Sequence, residues 1–265
     1  MTTRETPPAT HSSNNVEQKV AAADTTPDDT ASSASTYRRD MSDTSTGPLR
    51  IDIWSDVVCP WCYIGKRRFE NALAAIGDDI AIEVTYRAYQ LDPTASPGRT
   101  EAVRGVYERK FGGPEQADRI INHVSGIAAE SGITFNMDQA LRANTLLAHR
   151  LLWRAGQPTS PISQAALKER LLAAYFTEGR DIGAPETLAE LCAELGVDRA
   201  ATLDFLNDDA GRDEVAAEIT AASELGITAV PTYVIEGQWS IPGAQESDTF
   251  ERVLRRLVER RAQDS

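Results

Sequence analysis

Strand-like alternation is confined to the two ends of the patterned part of this chain, and nearly everything between them reads as helix. Arg50-Ile51-Asp52-Ile53-Trp54-Ser55 alternates polar and apolar residues, as a strand does. Phe69, Leu73 and Ile76 follow at helical spacing, and Gly77 stands where a helix-terminating glycine belongs. Residues 80–86 alternate again and Leu91-Asp92-Pro93 closes the unit, so residues 50–90 read as β-α-β. Far downstream, residues 230–235 and 238–241 flank the turn Glu236-Gly237 as a hairpin. Phe250, Val253, Leu254, Leu257 and Val258 then define a closing helix. Neither a βαβ nor a ββα fragment makes a covered sheet alone, so the two ends are expected to meet in one α/β domain.

The stretch from about 100 to 225 carries apolar stripes at helical spacing. Leu141, Ala148, Leu151, Leu152 and Ala155 mark one helix, and Leu167, Leu171, Leu172 and Tyr175 another. Leu188, Leu191, Cys192 and Leu195 mark a third, with Pro185 suited to its first turn. No internal repeat of fixed period is present. The helices therefore read as an insertion between the two halves of the sheet.

Residues 1–48 belong to neither part. They hold 10 Thr and 7 Ser, and Leu49 is the first Leu, Ile, Phe or Trp of the chain. Such a segment cannot bury enough apolar surface to offset its ordering entropy, so it is expected to be a disordered polar tail. It lacks the features of a secretory signal, which makes the cytoplasm the expected location. Met41 is a candidate true start. The 265 residues carry 27 Lys+Arg against 40 Asp+Glu, a net charge of −13, which argues against nucleic acid or an anionic membrane surface as partner. Three cysteines are too few for a disulfide-stapled scaffold. No apolar run approaches the length of a membrane-spanning helix.

Chemistry concentrates at Cys59-Pro60-Trp61-Cys62. A three-residue offset at a helix start puts both sulfurs on one side of the first turn, close enough to bridge. Pro60 suits the first helical position, where its missing N–H is not needed. Free N–H groups and the helix dipole there favour a thiolate at Cys59. Cys62 lies seven residues before Phe69 on the same apolar stripe, so it is expected to point inward. The result is an exposed attacking thiolate at Cys59 and a sheltered resolving thiol at Cys62, suited to disulfide exchange through a mixed disulfide. Zinc would need about four ligands, and Cys192, His123 and His149 do not stand at ligand spacing. A structural disulfide and two idle, packed thiols are the remaining alternatives.

Other reactive residues read as structural. Cys192 lies on an apolar stripe and is expected in the core. His123 and His149 sit in helical patterns with no nucleophile to serve. Lys66-Arg67-Arg68 reads as a solvated helix face. Asp56, three residues before Cys59, is close enough in sequence to relay protons or repel a thiolate.

A Cys-x-x-Cys at the helix start after a first strand, with Val230-Pro231-Thr232 entering a late strand, resembles the thioredoxin superfamily. The helical block narrows the resemblance to the DsbA-like branch. Residues 55–66, Ser-Asp-Val-Val-Cys-Pro-Trp-Cys-Tyr-Ile-Gly-Lys, look like the FrnE group, as do residues 144–150, Val230-Pro231-Thr232-Tyr233 and Ile241-Pro242-Gly243-Ala244-Gln245. The resemblance covers residues 50 to about 260. It implies a thioredoxin fold formed by 49–95 and 227–262, with an all-helical insertion at 96–226. It also implies a cis bond between Val230 and Pro231 packed against the cysteines, with the Val230 backbone, Pro231, Pro60 and Trp61 receiving substrate. Cys59 and Cys62 would be catalytic. No metal or tightly bound cofactor is implied; glutathione or another thiol would act as redox partner, and the substrates would be proteins or small molecules carrying thiols or disulfides. Trp61, where DsbA has His, implies a less oxidising couple. The second cysteine pair of some FrnE proteins is absent from this sequence. Kappa-type glutathione transferases and 2-hydroxychromene-2-carboxylate isomerases share the branch but usually carry Ser where Cys59 stands, and they supply the alternative function. A groove-binding protein with idle cysteines is the reading outside enzymes. The sequence leaves the oligomeric state open.

Overall fold

The computed structural model describes residues 47–263. Apart from its last two residues, the expected tail lies outside the described residues, as does Met41. The chain opens with β1 (Leu49–Ser55), α1 (Pro60–Ile76) and β2 (Ile82–Ala88). Helices follow: α2 (Val103–Phe111), α3 (Pro114–Glu130), α4 (Leu146–Ala155), α5 (Gln164–Phe176), α6 (Pro185–Glu194), α7 (Arg199–Asn207) and α8 (Arg212–Glu224). Two short strands, β3 (Glu101–Ala102) and β4 (Leu141–Arg142), pair antiparallel among them. The chain then returns as β5 (Thr232–Ile235), β6 (Trp239–Pro242) and α9 (Ser247–Gln263).

The two strand-rich ends meet as expected. The main sheet runs β2-β1-β5-β6, with β1 parallel to β2 and antiparallel to β5. The β5–β6 turn has Glu236 at φ 51° and Gly237 at φ 66°, the left-handed pair that suits the twist of a tight hairpin. Glu236 also accepts the Arg50 N–H at 2.8 Å, tying the turn to β1.

Alternation along the strands sends side chains to two different cores. Leu49, Ile51, Ile53, Tyr233 and Ile235 pack against Phe69, Ala72 and Ile76 of α1 and Phe250 and Leu254 of α9. Phe69, Tyr233 and Phe250 form an aromatic triangle with ring centroids 4.7–5.2 Å apart. Such pairs are worth about 1 kcal/mol each beyond the area they bury. On the opposite side, Trp54 and Val234 pack with Ala222 of α8 and with both Cys59 and Cys62. A third core fills the insertion and takes in Val57, Tyr63 and Ile64 around the start of α1.

The insertion also covers the outer edge of the sheet. The Gln164 side chain of α5 accepts from the Tyr86 N–H at 2.7 Å and donates to the Tyr86 carbonyl at 2.9 Å. Glu218 of α8 accepts from the Ala88 N–H at 2.9 Å and from Arg87 at 3.0 Å. Backbone groups of β2 are thereby satisfied by side chains in place of a neighbouring strand.

Leu141 does not belong to the helix the sequence pattern suggested. It sits in β4, where Ala140 accepts the Val103 N–H at 2.9 Å, and α4 begins only at Leu146. Asn144 turns the chain between them by accepting the Leu146 N–H at 3.0 Å. No helix among the described residues is long and apolar enough to cross a membrane.

Candidate active site

Cys59 is the N-cap of α1, with extended backbone angles (φ −91°, ψ 114°), and Pro60 takes the first helical position. The Cys62 N–H points back at the Cys59 sulfur over 3.3 Å. One orphan donor of the helix start is therefore aimed at that sulfur, where the axial dipole favours negative charge. Both residues are free thiols. Cys59 is not exposed, in contrast to the sequence expectation: both cysteines are only 3 % accessible. The cover comes from Trp54, Val230 and Val234, residues the local pattern around Cys59 does not contain. Trp61, between the cysteines, faces solvent, and Pro60 is half-buried.

The other wall is the segment entering β5. The Val230–Pro231 peptide bond is cis, and the Cys59 thiol donates to the Val230 carbonyl over 3.5 Å. Both residues are buried. The Gly243 N–H holds the Pro231 carbonyl at 2.8 Å, anchoring the segment to the end of β6. Helix α1 approaches closely because residue 65 is glycine. A Cβ there would lie 2.8 Å from the Tyr233 hydroxyl and 3.0 Å from Pro231 Cγ.

Asp56 is fully buried and fixes the loop that delivers Cys59. One carboxylate oxygen takes the Val57 N–H at 2.8 Å and faces His149 Nε2 at 3.1 Å. The other takes the Leu91 N–H at 2.8 Å. The residue thus joins the β1–α1 loop, the segment after β2 and helix α4 of the insertion. Its place in sequence suggested action on Cys59; its contacts are those of a brace. His149, which the sequence left without a partner, is the far end of that brace.

Lys66 is likewise not on a solvated face. It is 4 % accessible and pairs with Glu70 at 2.6 Å and Glu169 at 2.7 Å. Arg67 joins Glu169 at 2.9 Å, and Arg68 reaches the Ala244 carbonyl and Glu246. The three cations tie α1 to α5 and to the segment before α9. Cys192 packs in the insertion core as expected.

Electrostatics act on the inner thiol. Burial pushes the Cys62 thiol well above the ordinary range, and the adjacent Cys59 adds to the effect. Burial raises the Tyr233 phenol, with Cys62 the next cause. Against these stands Lys168 of α5, whose ammonium lowers the cost of a Cys62 thiolate. Lys168 is 1 % accessible, and its Nζ has no hydrogen-bond partner. The sequence reading passed over it, because it sits on the apolar stripe between Leu167 and Leu171.

No group of three or more His, Cys, Asp or Glu side chains among the described residues is arranged to hold a metal ion. What the site presents is a dithiol at a helix start, facing a backbone carbonyl.

Comparison with known proteins agrees with this geometry. Residues 50–255 match the DSBA-like thioredoxin domain. The chain is 29% identical over 208 residues to the uncharacterized protein YwbO of Bacillus subtilis (strain 168), covering 78% of this chain and 96% of that one. A probable DsbA oxidoreductase from Streptomyces coelicolor superposes with a TM-score of 0.72 at 33% identity, over 78% of this chain and 88% of that chain. The cytosolic disulfide reductase DsbM from Pseudomonas aeruginosa, solved with GSH, shares the fold with a TM-score of 0.57 at 21% identity, over 80% and 100% of the two chains. With its thioredoxin sheet, its helical insertion and a dithiol at the first helix, this chain belongs to the DsbA-like thioredoxin family.

Proposed function

We propose that this protein is a thiol–disulfide oxidoreductase of the FrnE type, working through the Cys59–Cys62 pair. The observation that carries the reading is the convergence of the Cys62 N–H and the Val230 carbonyl on the Cys59 sulfur, with a second thiol one helical turn on. As a thiolate, Cys59 attacks a substrate disulfide, forming a mixed disulfide and releasing one substrate thiolate. Cys62, deprotonated, then attacks the Cys59 sulfur, closing the Cys59–Cys62 disulfide and releasing the second substrate thiol. The reverse sequence oxidises a substrate dithiol. Val230, Pro231, Pro60 and Trp61 line the approach, so the incoming chain meets a carbonyl on one side and an exposed indole on the other.

The reading requires no metal or tightly bound cofactor. A small thiol returns the pair to its dithiol form, and glutathione is the first to try, since DsbM, a protein of the same fold, is seen with GSH. The cytoplasm, whose glutathione pool is reducing, is the compartment that fits. Glutathione-coupled reduction of insulin disulfides tests the assignment. Turnover in the wild type that disappears in Cys59→Ser supports it. Activity on an electrophile that needs glutathione but survives Cys62→Ser would instead place the chain with the transferases and isomerases of this branch.

A further inference from the structure

The resolving thiol lies in an environment hostile to its own reactive form. Cys62 must become a thiolate to close the disulfide, yet its surroundings are Trp54, Val230, Val234 and Ala222. An isolated charge in such a setting is costly unless a partner compensates it. The molecule keeps a second group in the same unfavourable state. Lys168 is buried on the face of α5 that carries Leu167, Leu171 and Leu172, with no hydrogen bond to its ammonium. Its Nζ lies 5.8 Å from the centre of the Tyr86 ring. Removal from water disfavours its charge, and the groups that restore it are, in order, Cys62, Asp56 and Cys59, with Lys66 opposing them. Helix α5 docks on the first turns of α1 beside Cys62: Glu169, next to Lys168, accepts from the Tyr63 hydroxyl at 2.9 Å and from Lys66 at 2.7 Å.

We propose that Lys168 is the positioning residue for the resolving step, a resident countercharge that lets Cys62 ionise inside the protein. This rests on the dithiol reading above and adds a member to it from the helical insertion. In the mixed disulfide, Cys62 gives up its proton to solvent water, and the Lys168 ammonium compensates the thiolate left behind. That thiolate attacks the Cys59 sulfur, the Cys59–substrate bond breaks, and the substrate leaves as a thiolate. In the opposite direction, a substrate thiolate attacks Cys59 and expels Cys62 as a thiolate, again compensated by Lys168. A buried ammonium without a hydrogen bond is a cost to the fold, and a role in the resolving step accounts for it.

The test uses 5,5′-dithiobis(2-nitrobenzoate) on the reduced full-length protein, followed by stopped flow across pH 6–10. Attack by Cys59 releases one thionitrobenzoate, and resolution by Cys62 releases a second. In Lys168→Met the second phase is expected to slow about tenfold at neutral pH, and its pH profile to move up by about one unit. The first phase should change less than about threefold, because the ammonium acts on Cys62 ahead of Cys59. Thermal unfolding of the variant should occur at the wild-type temperature or above it. Lys168→Gln carries the same expectation should the Met variant fail to fold. A second phase with wild-type rate and pH profile overturns the proposal, as does equal slowing of both phases with lost stability. A wild type that releases only one equivalent overturns the dithiol reading itself, and the proposal with it.

Discussion

The Cys59 sulfur lies 3.5 Å from the Val230 carbonyl oxygen, although 171 positions separate the two residues. The contact is made where the two ends of the chain join, since β1 leads to Cys59 and the segment before β5 carries Val230. Assembly of the sheet and assembly of the site are therefore one event. A chain that failed to pair β1 with β5 would have two cysteines on a helix start but no backbone group facing them.

The roles of the two cysteines are separable by trapping. Cys62→Ser should accumulate mixed disulfides through Cys59, because nothing remains to release them. Cys59→Ser should accumulate none, since the remaining thiol is buried and resists ionisation. Non-reducing electrophoresis with mass spectrometry of the adducts reads the outcome. Equal trapping by both variants would contradict the division.

Gly65→Ala should damage the site without touching a cysteine. The added methyl meets the Tyr233 hydroxyl and Pro231 Cγ inside normal contact distance, and both atoms belong to buried residues. Overpacking of this kind costs about 1–3 kcal/mol. Urea unfolding measures that loss, and reactivity of Cys59 toward a small disulfide shows whether the Val230–Pro231 wall has shifted.

Asp56→Ala removes the acceptor for the buried Val57 N–H and the half-buried Leu91 N–H, and the partner of His149. A loss of about 2–4 kcal/mol follows from orphaning such groups. Chemical denaturation is the measurement. A variant as stable as the wild type would mean that the brace does not hold the loop.

Alkali should weaken the fold through buried neutral thiols. Burial raises Cys192 from 9.0 to about 11. A group raised in the folded state contributes stability that is full below its unfolded value and is lost as pH climbs through the folded one. For Cys192 the window is about pH 9 to 11, and about 2 kcal/mol is at stake. Urea titrations at pH 8 and pH 11 should show a smaller fall for Cys192→Ala than for the wild type.

Local sequence carried the scaffold well and the site's surroundings poorly. Alternation and the hairpin pattern located all four strands of the main sheet to within a few residues, and Glu236-Gly237 announced the hairpin turn. Pro60 marked the helix start at the correct residue. What stayed hidden depends on partners far away in sequence. Cys59 is covered by side chains near residue 230, and Lys66 is drawn inward by Glu169, 103 positions on. His149 looked idle because its partner, Asp56, lies 93 positions back. Lys168 was legible only as an anomaly, a cation on a stripe of leucines, and that anomaly was the signal to follow.

The side chains of Gln164 and Glu218 already occupy the outer backbone groups of β2 at Tyr86 and Ala88. A variant trimmed of residues 96–226 would therefore not yield a smaller intact domain. It would uncover a raw strand margin beside an apolar face, which is a template for stacking copy upon copy into fibrous aggregates. The insertion thus shields that border from a further strand.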